Sequence, residues 1–270
     1  MHTDCEQTSE QKPGLPLRLS AQDETAGPWG FWATVGFSAI IAIAYILIQA
    51  IVVIPFVVPA VIHNKNLDIA QFSQNLASNG LVLAIAICAV APFTIGLIVL
   101  FAKIRRKITI KQYLGFHNPG WKKISKWCVV LVIFVGCFDT LTFSINRPVV
   151  PEFMVNVYTT AYFRPLLWLA LVIVAPLTEE IFFRGFLFKG IESSKMGPVG
   201  AIIITSLAWA VMHSQYDVYG MVSIFIGGLL LGFARVKSNS IYPPIVMHII
   251  QNIIATIEVA VFLRIVPNAG

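Results

Sequence analysis

RPLLWLALVIVAPLTEEIFFRGFLFK, residues 164–189, is an apolar run long enough to cross a bilayer, yet it carries Glu179, Glu180 and Arg184 in its interior. A hydrocarbon core about 30 Å thick takes roughly 20 consecutive apolar residues in a helix. Lipid offers no hydrogen-bond partners, so a spanning backbone must close its own bonds, in helices or in a sealed barrel. The run lacks the period-two alternation of a barrel strand and therefore reads as a helix. Two adjacent carboxylates inside it call for a reason.

The rest of the chain has the same character. Of its 270 residues 57% are hydrophobic and only 12% charged, against about 25% charged in a soluble domain. By the same length criterion, spans fall near 32–62, 80–102 and 127–145 before the opening run, and near 198–213, 219–235 and 243–264 after it. The first is too long for one straight crossing, and Pro55 and Pro59 are expected to kink it or turn its end into an interfacial segment. The fold class is thus an all-α, polytopic transmembrane helical bundle of seven to eight spans. Residues 1–28, mixed in charge and rich in Gly and Pro, read as a disordered cytoplasmic tail without a signal-peptide pattern. Residues 29–145 form an N-terminal set of transmembrane helices and residues 164–264 a second set.

The formal charge of +6 is not spread evenly. Lys103, Arg105, Arg106, Lys107, Lys111, Lys122, Lys123 and Lys126 crowd the segment 103–126, which holds no acidic residue and is therefore assigned to the cytoplasmic side. The N-terminus follows it inside, and membrane orientation rather than nucleic acid accounts for the basic balance. Short loops and no organelle signal point to a bacterial inner membrane. Cys5, Cys88, Cys128 and Cys137 form no CxxC pair, so neither a disulfide framework nor a cysteine metal site is indicated.

Ionisable side chains inside spans are functional candidates by default. Glu180 and Arg184 are four apart on one helix face, in the favourable order for an ion pair. Glu179 points about 100° away and meets Phe183, not a cation, one turn on. It is the carboxylate that a structural account leaves over, and a base of this kind can take and return a proton. His213, in SLAWAVMHSQYD, sits near a span end, where a histidine commonly serves as an interfacial residue. His248 and Asn252, in PPIVMHIIQN, share a helix face and could simply bond helices together. Taken jointly, on three helices, they supply a base, an orienter and donors, the parts needed to activate water against a carbonyl and hold the oxyanion. Gly228 and Gly232, in GGLLLG, form a face for close helix approach. Asp139 and Glu258 read as residues near span ends facing headgroups or protein.

These motifs resemble the CPBP intramembrane proteases, also called the Abi or CAAX-processing type II family, whose pattern is EExxxR, FxxxH and HxxxN or HxxxD on successive helices. Here it stands as EEIFFR (Glu179, Glu180, Arg184), WAVMH (Trp209, His213) and HIIQN (His248, Asn252), over roughly residues 164–262. The resemblance implies a protease core in the last four spans and peptide-bond hydrolysis in a membrane-embedded cavity. Glu179 and His213 would activate water, His248 and Asn252 would hold the oxyanion, and Glu180 and Arg184 would support them. Trp209 departs from the pattern's Phe, an aromatic exchange expected to reshape the cavity wall. The substrate would be a membrane-associated or lipidated peptide or protein, with membrane lipid as the other partner. Zinc held by Glu179, His213 and His248 is the alternative to a metal-free site, although no HExxH is present. A non-proteolytic scaffold or bacteriocin-immunity-type protein is the competing function, and a transporter ranks below it for want of internal symmetry.

One expectation runs against a shared site. At 1.5 Å per residue from the inner span ends, Glu179 lies roughly 15 Å deep, His248 roughly 10 Å and His213 over 20 Å. Straight parallel helices would keep them apart, so tilt, a kink at Pro176 or a later start of the fifth span is required.

Overall fold

The structure is a computed structural model that describes residues 27–105 and 108–266. The expected tail over 1–28 lies almost entirely outside the described residues, as do Cys5, Arg106 and Lys107. Among the described residues every regular element is helical. In chain order they are α1 (Phe31–His63), α2 (Ile69–Ala77), α3 (Gly80–Ile104), α4 (Ile110–Leu114) and α5 (Trp121–Ser144). There follow α6 (Glu152–Thr159), α7 (Arg164–Glu192), then α8 (Gly197–Val211), α9 (Val218–Ser238) and α10 (Tyr242–Ile265).

Six of these, α1, α3, α5, α7, α9 and α10, are long and apolar enough to cross a membrane. The protein is a polytopic helical bundle. The fifth expected span is α8, apolar but only 15 residues long, short of the roughly 20 that a full crossing takes. The first is one continuous helix of 33 residues with Pro55 and Pro59 inside it, about 50 Å at the standard rise.

The structure is organised around α7. Its Leu167 and Ala170 pack with Ala84 of α3, Val157 of α6 and Val259 of α10. Phe183, Phe188 and Ile191 pack with Leu131 of α5, Trp209 of α8, Leu231 of α9 and Met247 of α10. Phe186 closes a third cluster with Ile41 of α1, Ile98 of α3 and Tyr113 and Leu114 of α4. A helix apolar on every side is what the sequence shows for 164–189; its second half, from Phe183 to Phe188, is buried among neighbours, while Leu169 and Ile173 in the first half remain exposed on the outer face of the bundle.

The basic segment 103–126 is not a plain loop. Thr109 and Gln112 form a reciprocal capping box that starts α4, and Gly115 in the left-handed region ends it. The turn then docks on the bundle: the Ile241 N–H donates to the Gly115 carbonyl at 3.0 Å, and Tyr113 stacks on Phe186 with ring centroids 5.5 Å apart. A Cβ at Gly115 would come within 2.3 Å of the Arg235 guanidinium, so glycine is required there for both its backbone angle and its lack of a side chain. Sequence periodicity could not show α2, α4 or α6, because one or two turns carry too little of it.

Candidate active site

The site begins with a backbone irregularity in α7. Two π-helical segments, Leu169–Val174 and Ile181–Leu187, flank the ordinary turn Ala175–Glu180 that carries both glutamates. Such insertions are rare and cluster at functional positions. In the first, the Ala175 N–H reaches back to the Ala170 carbonyl, skipping Leu171. The next residue, Pro176, has no N–H to give. The Leu171 carbonyl is left without a partner in its own helix, and the Asn252 Nδ2–H donates to it at 2.7 Å. In the second segment the Phe188 N–H goes to Gly185 and Phe183, passing over Arg184, whose carbonyl accepts from Arg235 Nε at 3.1 Å. Each π segment is thus tied to a later helix by a side chain.

Glu180 and Arg184 are fully buried and paired, Arg184 Nη1 to Glu180 Oε1 at 3.0 Å. The same Oε1 accepts from His248 Nδ1 at 2.9 Å, so this carboxylate joins α7 to α10. A carboxylate oxygen only accepts, which fixes the hydrogen on Nδ1 and leaves Nε2 as the atom His248 can present elsewhere. Arg184 also donates through Nη2 to the Gly228 carbonyl at 3.3 Å and lies over the Trp209 ring, 4.7 Å from its centroid. Gly228 and Gly232 do form a close-approach face: a Cβ at Gly228 would meet Ser206 at 3.0 Å and the Trp209 ring at 3.1 Å.

Glu179, half-buried, finds its partner on α8. The Trp209 Nε1–H donates to Glu179 Oε2 at 2.5 Å. Trp209 also stands edge-on to His248 at 5.0 Å and to His213 at 5.3 Å between ring centroids. Its backbone carbonyl accepts from His213 Nδ1 at 2.8 Å. Beyond the end of α8, Tyr216 stacks on His213 with centroids 6.3 Å apart, and burial together with the Glu179 charge pushes its phenol above the usual range.

Glu179, Glu180, Arg184, His213 and His248 therefore gather around one tryptophan. The short helix α8 starts at Gly197, one residue before the expected span, so a later start is not what closes the depth mismatch; Trp209 nevertheless meets both Glu179 and His248, and His213 follows one turn farther along. Asn252 stands a turn beyond His248 on α10 and meets α7 two turns before Glu179, with one of its two N–H groups already engaged.

Two pairings differ from the sequence reading. His248 bonds Glu180, the glutamate assigned only to Arg184, and Trp209 is a hydrogen-bond donor as well as a wall. The signal for the second lay in the Trp-for-Phe departure itself, since an indole has an N–H and a phenyl ring does not. The π segments left no sequence signal beyond Pro176. Among the described residues no three His, Cys, Asp or Glu side chains gather as a metal-ligating group; Glu179, His213 and His248 are arranged about the indole. Asp139 of α5 and Glu258 of α10 are neighbours across the two helices.

Residues 161–254 match the family model for the type II CAAX prenyl endopeptidase Rce1-like proteins, a range that holds every residue of the site from Glu179 to Asn252. An uncharacterized 24.3 kDa protein of Escherichia coli is 31% identical over 160 residues, which cover 56% of this chain and 70% of the relative. No solved structure matches the chain.

Proposed function

Since this chain belongs to the family of Rce1-like type II CAAX prenyl endopeptidases, whose members are intramembrane proteases, we propose that it hydrolyses a peptide bond of a membrane-associated protein with water activated by Glu179 and His213. The observation that supports this most is the separation of the two adjacent glutamates. Among the described residues, Glu180 is fully buried and neutralised through Oε1 by Arg184 and His248, its Oε2 enclosed without a partner, whereas Glu179 is only half-buried, bonds the neutral Trp209 indole through Oε2 and has no cation paired to it.

In the proposed reaction Glu179 Oε1 takes a proton from water as the water oxygen bonds to the scissile carbonyl carbon. His213 assists through Nε2, because its Nδ1–H is held by the Trp209 carbonyl. The negative charge that develops on the carbonyl oxygen is met by His248, in its protonated form donating from Nε2, and by the remaining N–H of Asn252. Collapse of the tetrahedral intermediate breaks the C–N bond, and the proton carried by Glu179 passes to the leaving amine. Fixed donors in a dry site are worth about 3 kcal/mol each to such a transition state. The scheme needs no metal ion.

The substrate class we propose is lipidated. Between α1, α2 and α3 lies a cavity of about 530 Å³ lined by Val53, Val57, Phe72, Leu76 and Leu83 among others, with the size and lining for a hydrocarbon chain. The membrane is taken to be a bacterial inner membrane with the N-terminus cytoplasmic.

The test is cleavage of a peptide ending in a CAAX box, with and without an S-linked prenyl chain, by the purified protein in lipid nanodiscs, read by mass spectrometry. Wild type should cut the prenylated peptide at the box, and Glu179→Gln should lower the rate about 10²- to 10⁴-fold, the usual weight of a general base. Undiminished cleavage by Glu179→Gln would remove the central assignment. A protein that folds but never cleaves would favour the non-proteolytic scaffold.

A further inference from the structure

Trp209 makes more of this site than a wall position requires. It touches four of the charged or titratable side chains around it, and two of those contacts bear on the proposed water-activating pair. The indole Nε1–H donates to Glu179 Oε2, and the backbone carbonyl of the same residue accepts from His213 Nδ1 at 2.8 Å. The first contact leaves Oε1 as the free oxygen of Glu179. The second forces the hydrogen of a neutral His213 onto Nδ1, because a carbonyl cannot donate, and leaves the Nε2 lone pair for water.

The ring itself is closely packed. It is 2% exposed, its face is covered by the Arg184 guanidinium at 4.7 Å, and Gly228 lets α9 come against it where a Cβ would sit 3.1 Å from the ring. It also stands between two charge systems, with Glu180, Arg184 and His248 on one side and Glu179 on the other. A phenyl ring, the residue of the CPBP pattern at this place, would fill much of the same space without supplying the N–H.

We infer that Trp209 is a positioning residue for this chain's proposed reaction: through one donor and one acceptor it orients both Glu179 and His213, so that their free atoms converge on the same water. This rests on the proteolytic reading for its consequence and on the geometry alone for its cause. Orientation of this kind acts on the chemical step rather than on substrate binding. Losing a hydrogen bond to a charged group corresponds to a rate loss of about ten- to a hundredfold.

The experiment replaces Trp209 in two ways in the full chain in nanodiscs. Trp209→Phe removes the N–H with a smaller ring, and benzothienylalanine at 209 removes it with the indole's own shape. Both should lower kcat on the prenylated CAAX peptide about ten- to a hundredfold, with KM within about twofold; Trp209→Phe also leaves a void that lowers the unfolding temperature, whereas the benzothienylalanine protein, which keeps the shape, should unfold close to wild type. Wild-type kcat in the benzothienylalanine protein would overturn the inference, as would a rise in its KM and a fall in its unfolding temperature that track the fall in kcat. A second measurement does not depend on turnover. The Trp209 indole N–H proton should resonate far downfield in wild type and move upfield in Glu179→Gln; a resonance indifferent to Glu179→Gln would refute the contact. A wild type that cleaves none of the peptides while that resonance responds would sink the proteolytic reading and leave the hydrogen bond standing.

Discussion

At the scale of single residues, the adjacent glutamates have opposite circumstances, and their variants should separate. Glu180 is buried between Arg184 and His248, so Glu180→Gln strands a buried guanidinium. Breaking a buried pair from one side costs about 3–5 kcal/mol, and the expected result is a large drop in unfolding temperature in detergent, with activity lost because the fold is lost. Glu179→Gln, by contrast, keeps an acceptor oxygen for Trp209 and should unfold like wild type while turnover falls. Equal destabilisation by the two would contradict this division. Asn252 has a structural task as well as its proposed catalytic one, since it satisfies the Leu171 carbonyl. Asn252→Ala should therefore destabilise by about 1–3 kcal/mol, the usual cost of an orphaned buried acceptor, measured by equilibrium unfolding. The residue types of the site could all be read from the chain. Which glutamate took which histidine could not, because His248 and Glu180 meet only through the packing of α10 on α7.

At the scale of elements, α7 and the α8–α9 pair place the site. Gly228→Val would drive a side chain into Trp209 and Ser206, and it should lower activity strongly with a smaller loss of stability; crosslinking of cysteines introduced on α8 and α9 would register the separation. The N-terminus of α9 offers a pH-dependent contact. Asp217 accepts from the Gly220 N–H at 2.8 Å and from Arg147 at 2.6 Å, and these bonds hold its carboxyl below the ordinary carboxylate range. A depressed folded-state value means that the stabilisation is present above the unfolded-state pKa and disappears as pH falls through the folded one. Unfolding temperature should therefore decline on acidification in that window, and Asp217→Asn should flatten the decline. The pair is exposed, so added salt should weaken the effect. Long spans were legible because twenty apolar residues admit one reading in lipid. The π segments were not, since they arise from a compromise among Pro176, the carbonyls it leaves free and the neighbours that satisfy them.

At the scale of the whole molecule, the residues that match the family do not form a self-sufficient unit. A Cβ at Gly190 on α7 would overlap Thr34 of α1, and Ala84 of α3 is buried with Leu167 and Ala170 of α7; the N-terminal helices are closely fitted to the half that matches the family. A fragment beginning at residue 161 should accordingly aggregate or remain inactive in detergent, and co-expression with residues 1–160 should restore monodispersity, as gel filtration would show. By itself the sequence determined that the chain is helical and embedded in membrane, through apolar runs that lipid can accommodate only as helices, and it determined the residue types of the site through motifs at helical spacing. Only the tertiary structure decided the partnerships: Trp209 with Glu179, His248 with Glu180, Asn252 with Leu171. Hydrogen bonds between side chains on different helices depend on how α7 is wound and how deep α8 sits, and neither quantity is encoded in the spacing of residues along one helix.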